Sequence, residues 1–97
     1  MMQFAGYECI VRMERYRDGS PCIRLISAIG EPLGTATVCV AGRKAPDGYG
    51  FIKDYGENAG MLDALIAAHL VADTGYRVPV GHAEACIVKL LVENIPK

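Results

Sequence analysis

The triplet His82-Ala83-Glu84 is the most chemically suggestive pattern in this chain. Zinc-dependent base deaminases use H-x-E, with the histidine on the metal and the glutamate moving protons, and they need a later P-C-x-x-C for two thiolates. Here Cys86 is the sole cysteine after Glu84, and Pro21-Cys22 precedes the motif without a second cysteine. The deaminase set is therefore incomplete. A looser metal site would draw on His82, Cys86 and His69 with a carboxylate, ligands that zinc accepts. Against it, Cys86 lies in an apolar run, and His69 falls on or beside the apolar stripe of an expected helix. The expectation is no resident metal and no cofactor, with His82, Cys86 and His69 as the alternative.

Nucleophilic catalysis finds less support. Ser20 and Ser27 are the only serines, and no G-x-S-x-G elbow is present. Cys22 and Cys39 fall in expected strands with neutral neighbours, whereas a reactive thiol needs an electropositive, partly exposed setting. No catalytic residue is expected.

Binding chemistry is better represented. The segment 42–50 (Gly-Arg-Lys-Ala-Pro-Asp-Gly-Tyr-Gly) superficially resembles a phosphate cradle. It lacks the G-K-[ST] ending and does not run into a helix, so the anion-nest logic fails. It reads as a mobile connection or as a binding loop that presents Arg43, Lys44 and Tyr49. The segment 47–58 places Tyr49, Lys53, Tyr55 and Glu57 among glycines just before the expected helix. Tyrosine suits contact surfaces because it brings rigid area and a polar tip. Helix capping and turn chemistry account for the same residues equally well. The candidate binding surface is Arg43, Lys44, Tyr49, Lys53, Tyr55 and Glu57.

Composition narrows the classes. The 97 residues fit one domain, 1–97. The chain is 52% hydrophobic with 22% charged residues, which excludes disorder. Ten Lys and Arg stand against eleven Asp and Glu, a formal net charge of −1. That balance argues against nucleic-acid binding, which would have to rest on a local patch of Arg12, Arg15, Arg17, Arg43 and Lys44. It also excludes an acidic DNA mimic. High apolar content on a short chain predicts uncovered apolar surface, hence a homodimer or another protein as partner. No signal-peptide pattern and no membrane-length apolar run is seen, so a cytoplasmic protein with reduced thiols is expected. Cys9, Cys22, Cys39 and Cys86 read as small core hydrophobes.

The elements that would position these residues follow from periodicity. Residues 7–16 alternate, with Tyr7, Cys9, Val11 and Met13 on the core face. Asp18-Gly19 signals a tight hairpin turn, and residues 21–29 return with Ile23, Leu25, Ser27 and Ile29 inward. A turn at 30–34 leads to a third strand at 35–41, with Ala36, Val38 and Val40 facing the core. Residues 51–53 fit a short strand. An amphipathic helix is expected over 58–72, capped by Asn58, carrying Met61, Leu62, Leu65, Ile66 and Leu70, and ended by Gly75. Residues 76–80 fit an edge strand because Pro79 cannot donate to a central ladder. Residues 84–92 fit a buried strand or a second helix, and the β-branched side chains favour strand. The expected fold is α+β: a mostly antiparallel sheet of about four to five strands with one amphipathic helix on one face, in the order β-β-β-α-β-β.

From residue 35 onward, that order resembles small uncharacterised proteins carried by bacterial phages and conjugative elements. The resemblance rests on Phe51-Ile-Lys-Asp-Tyr-Gly-Glu-Asn-Ala-Gly60, the helix, Val71-Ala-Asp-Thr-Gly-Tyr76 and Gly81. It implies an accessory role in a mobile element and brings no catalytic residue. The expected function is a non-catalytic protein-interaction or accessory protein, acting on a host factor. The alternative is a small metal-binding domain or enzyme using His82, Glu84 and Cys86.

Overall fold

A computed structural model describes residues 2–40 and 42–91. Within them are seven strands and one α-helix. The strands are β1 (Met2–Phe4), β2 (Tyr7–Arg15), β3 (Pro21–Ile26), β4 (Pro32–Thr35), β5 (Tyr49–Ile52), β6 (Val71–Val80) and β7 (Ala83–Leu90). The helix α1 (Met61–Ala67) follows a 3₁₀ turn, Gly56–Asn58. The α+β class stands. The single sheet does not: the strands form a four-stranded sheet, β1-β2-β3-β4, and a three-stranded one, β5-β7-β6. All named pairings are antiparallel.

The expected hairpin forms where Asp18-Gly19 placed it. Gly19 takes φ +87°, and Tyr16 N–H closes the turn on the Ser20 carbonyl at 2.8 Å. Asp18 accepts from the Ser20 N–H at 2.8 Å and from the Ser20 hydroxyl, a local bond that pre-sets the turn. On β2, Cys9 and Met13 are buried as the alternation required, but Tyr7 is 62% exposed. β3 is shorter than expected: the chain turns at Ser27–Gly30, and Ile29 is left 81% exposed.

The third strand also differs. The ladder to β3 is made by Pro32–Thr35, and residues beyond it do something else. Ala36 N–H donates to the Ile23 carbonyl in the first sheet, while its own carbonyl accepts from Lys53 N–H in the second, both at 2.8 Å. Val38 N–H then bonds to Phe51 O at 3.0 Å, and Thr37 bridges Ile52. One residue, Ala36, thus hands the chain from one sheet to the other. It is fully buried, where a larger side chain would have to displace both sheets.

Helix α1 packs against β1 and β6, which are the edge strands of their sheets among the described residues. Its Met61, Leu62 and Leu65 enter the main core with Ile23, Leu25, Ile52, Val71 and Val88. A seven-residue helix is not stable alone in water, so this docking holds it. Each such side chain contributes roughly 1.5–3 kcal/mol on full burial. A second cluster, Ala45, Phe51, Val78 and Ala85, lies on the other face of the β5-β7-β6 sheet.

The helix is shorter than its apolar periodicity suggested. Its start is set by Gly60 at φ +93°, and Asp54 Oδ1 accepts the Leu62 N–H at 2.9 Å. Asp54 therefore supplies the acceptor for the first turn, whose N-cap residue is Gly60, and Asn58 does not: Asn58 donates instead to the Thr35 carbonyl at 2.7 Å. Its end falls at His69, which takes φ +60°. His69 N–H bonds to Ile66 O at 3.0 Å, and Leu70 N–H to Leu65 O at 3.1 Å. Those two bonds are the Schellman pattern, normally closed by glycine. Gly75 instead sits in β6, where the register shifts between Asp73 and Arg77. Pro79 lies on β6, an edge strand, as its missing N–H requires. Residues 83–90 form the central strand β7, which decides between strand and helix for this stretch. The last two residues of the expected segment 84–92 divide: Leu91 follows the strand, and Val92 is outside the described residues.

Candidate binding cleft

A cleft of about 600 Å³ opens between β1–β4 and the helix side of the domain. β1 and its turn contribute Phe4, Ala5 and Tyr7. β2 and β3 contribute Cys9, Tyr16, Cys22 and Arg24, and β4 with the crossing segment contributes Leu33, Thr35, Thr37, Val38 and Cys39. Lys53, Glu57, Asn58 and Met61 close it from the helix side. Tyr7 and Leu33 are exposed apolar residues on its rim. The position of Tyr7 follows from the tight Ala5-Gly6 turn, whose φ values of +52° and +83° return the chain at once from β1 to β2.

A polar group sits in this largely apolar hollow. The Tyr16 hydroxyl lies 3.0 Å from Thr37 Oγ1 and 3.2 Å from the Thr37 carbonyl. Thr37 Oγ1 also accepts the Ile23 N–H at 3.1 Å. Burial, with the Cys22 thiol adding to it against the bond to Thr37, pushes the Tyr16 phenol up to about 12. The phenol is thus a neutral hydroxyl at physiological pH. Burial also raises the Cys9 thiol and, together with the Asp18 carboxylate, the Cys39 thiol. Neither is favoured as the thiolate that nucleophilic chemistry needs. Cys9, Cys22 and Cys86 are buried, but Cys39 is exposed, which corrects its expected place in the core.

Charge is confined to the cleft edge and is paired. Arg24 Nε meets Glu14 Oε1 at 3.0 Å, and the Cys22 thiol followed by Glu14 holds the guanidinium above its ordinary range. Lys53 bonds to Glu57 and stands 5.5 Å from the centre of the Tyr55 ring. The Lys53 bond to Glu57 raises the ammonium and lowers the carboxyl, so both stay charged. Such exposed pairs are worth little for stability and rearrange easily when a ligand arrives.

The structure divides the sequence candidates. Lys53 and Glu57 line the cleft, with Tyr55 beside them. Tyr49 is half-buried on β5, packed against the second cluster. Lys44 lines a different cleft, and Arg43 is exposed next to it. Tyr16, Thr37, Cys22, Cys39 and Arg24 belong to the main cleft and carried no sequence motif.

The alternative metal ligands are held apart. His69 ends α1 beside the start of β6, and His82 sits in the turn at the far end of the β6–β7 hairpin. Ten residues of strand separate the two ends, roughly 30 Å at the usual rise. Both histidines are exposed, and Cys86 is buried against Ile52 and Arg77. Among the described residues, no three His, Cys, Asp or Glu side chains are placed to share a metal ion. No described helix is long and apolar enough to cross a membrane.

No protein-family model matches this chain, and no curated protein or solved structure is significantly similar to it.

Proposed function

We propose that this domain is a non-catalytic protein-interaction module whose contact surface is the main cleft. The observation that carries the reading is the exposed apolar pair Tyr7 and Leu33 at the mouth of a hollow with a neutral hydroxyl floor. An apolar side chain of a partner would fill the hollow, gaining about 25 cal/mol for each Å² it removes from water. Tyr16 and Thr37 would satisfy one polar group of the incoming chain. Arg24 and Lys53 would exchange their intramolecular carboxylates for contacts at the rim.

The partner is a host protein or a second copy of this chain. An accessory role in a mobile element is part of the proposal, supported by the pattern of residues 51–60 and 71–76. The test is affinity capture from host lysate with wild type, Leu33→Asp and, as a control away from the cleft, Ile29→Ser. Proteins retained by wild type and Ile29→Ser but lost by Leu33→Asp support the reading. Identical capture by all three contradicts it. Light scattering on the same proteins shows whether Leu33→Asp dissolves a homodimer.

A further inference from the structure

Several cations without an ion pair among the described residues lie on or beside two loops, 16–20 and 42–48. Among the described residues Arg12, Arg24, Lys53 and Arg77 each meet a carboxylate. Arg15, Arg17, Arg43 and Lys44 form no ion pair among the described residues, and all four are exposed. The fold brings Arg15, at the end of β2, and Lys44, in the loop at 42–48, to one cleft, with Arg17 in the turn at 16–20 and Arg43 beside Lys44 in the chain. Between these loops is a second cleft of about 450 Å³, lined by Arg15, Ser20 and Lys44 with Pro21, Pro46 and Leu90.

The cations are placed rather than merely nearby. Arg15 Nη1 donates to the Gly19 carbonyl at 2.8 Å, which holds its guanidinium at the turn while leaving other N–H groups free. The Lys44 ammonium lies over the same turn, 3.6 Å from where a Cβ on Gly19 would stand. Asp18 and Asp47 reduce the local charge, but the Asp18 carboxylate is already engaged by the Ser20 N–H and hydroxyl. In a chain of net charge −1, these two loops with Arg15 carry four cations against two carboxylates.

We infer that the slot between the 16–20 turn and the 42–48 loop binds an acidic peptide segment of a partner protein, with Arg15 and Lys44 meeting its carboxylates. Two features favour a peptide over nucleic acid. Two carboxylates lie among the cations, which opposes a phosphate backbone of uniform charge. The slot also has apolar walls from Pro21, Pro46 and Leu90 but no aromatic ring on which a base could stack. This surface adjoins the main cleft through Arg15-Tyr16 and Pro21-Cys22 but does not depend on it.

The experiment is fluorescence anisotropy with a labelled glutamate-rich peptide, run against wild type, the double variant Arg15→Gln/Lys44→Gln, and the main-cleft variant Leu33→Asp. Binding at low salt that weakens at least about tenfold in the double variant, and disappears in high salt, supports the inference. Leu33→Asp should bind as wild type does, which separates this surface from the proposed function. Absent peptide binding, undiminished binding by the double variant, or loss on Leu33→Asp overturns it. So does a single-stranded oligonucleotide that binds more tightly than the peptide. Both substituted side chains are exposed, and circular dichroism is the check that the double variant folds.

Discussion

The Tyr16 hydroxyl stands 3.0 Å from Thr37 Oγ1, joining the end of β2 to the segment that crosses between the sheets. A consistent proton arrangement has Tyr16 donating to the Thr37 carbonyl, the Thr37 hydroxyl donating to Tyr16, and the Ile23 N–H donating to Thr37. The two partners are then unequal. Tyr16→Phe removes both bonds to Thr37 but leaves the Ile23 N–H paired, and the freed Thr37 groups line the cleft, a net loss of about 1 kcal/mol. Thr37→Val strands that buried N–H, and the cost rises to roughly 1–3 kcal/mol. Urea unfolding should rank Thr37→Val below Tyr16→Phe; the reverse order would refute the proton arrangement.

Alkaline pH should act through the same phenol. The folded state holds the Tyr16 phenol at about 12, above its ordinary value of 10.0. Its contribution is fully present below the unfolded pKa and is lost as pH rises from there through the folded value. Wild type should therefore lose stability between those two values more steeply than Tyr16→Phe. In absorbance titration, one of the five tyrosines should ionise late. Parallel stability curves for the two proteins would show that Tyr16 is not shielded.

His69 is the helix cap in a backbone conformation that L side chains pay to adopt. Its side chain is exposed, so replacement costs no packing. His69→Gly should raise stability by about 0.5–1 kcal/mol. A loss of stability, or of bound metal, would restore a ligand role to this residue.

The other end of α1 depends on Asp54. Asp54→Ala leaves the Leu62 N–H without its acceptor and should cost about 1 kcal/mol. Asn58→Ala acts elsewhere, by releasing the Thr35 carbonyl at the edge of the main cleft. Hydrogen exchange should therefore quicken at Leu62 in the first variant and not in the second.

Local chemistry explains which parts of the fold were legible beforehand. Asp18-Gly19 between alternating runs fixed the β2–β3 hairpin, and Pro79 fixed β6 as an edge. The helix was overextended because Leu70 follows Ile66 at helical spacing, while the break is made by a histidine in a conformation typical of glycine. β1 was missed because three residues carry no periodicity. The division into two sheets depends on Ala36 bonding to both, which no local pattern announces. The main cleft was half visible: Lys53, Tyr55 and Glu57 lie in a distinctive stretch, whereas Tyr16, Cys22 and Thr37 meet only through strand register.

An amide chemical-shift map tests the cleft most directly. Peptides selected by phage display on the wild-type domain, and counter-selected on Leu33→Asp, would be titrated into isotopically labelled protein. An apolar consensus is expected, with shifts centred on Tyr7, Tyr16, Arg24, Leu33, Thr37 and Lys53. Shifts centred instead on His82 and the β6–β7 turn, with those six residues unmoved, would contradict it.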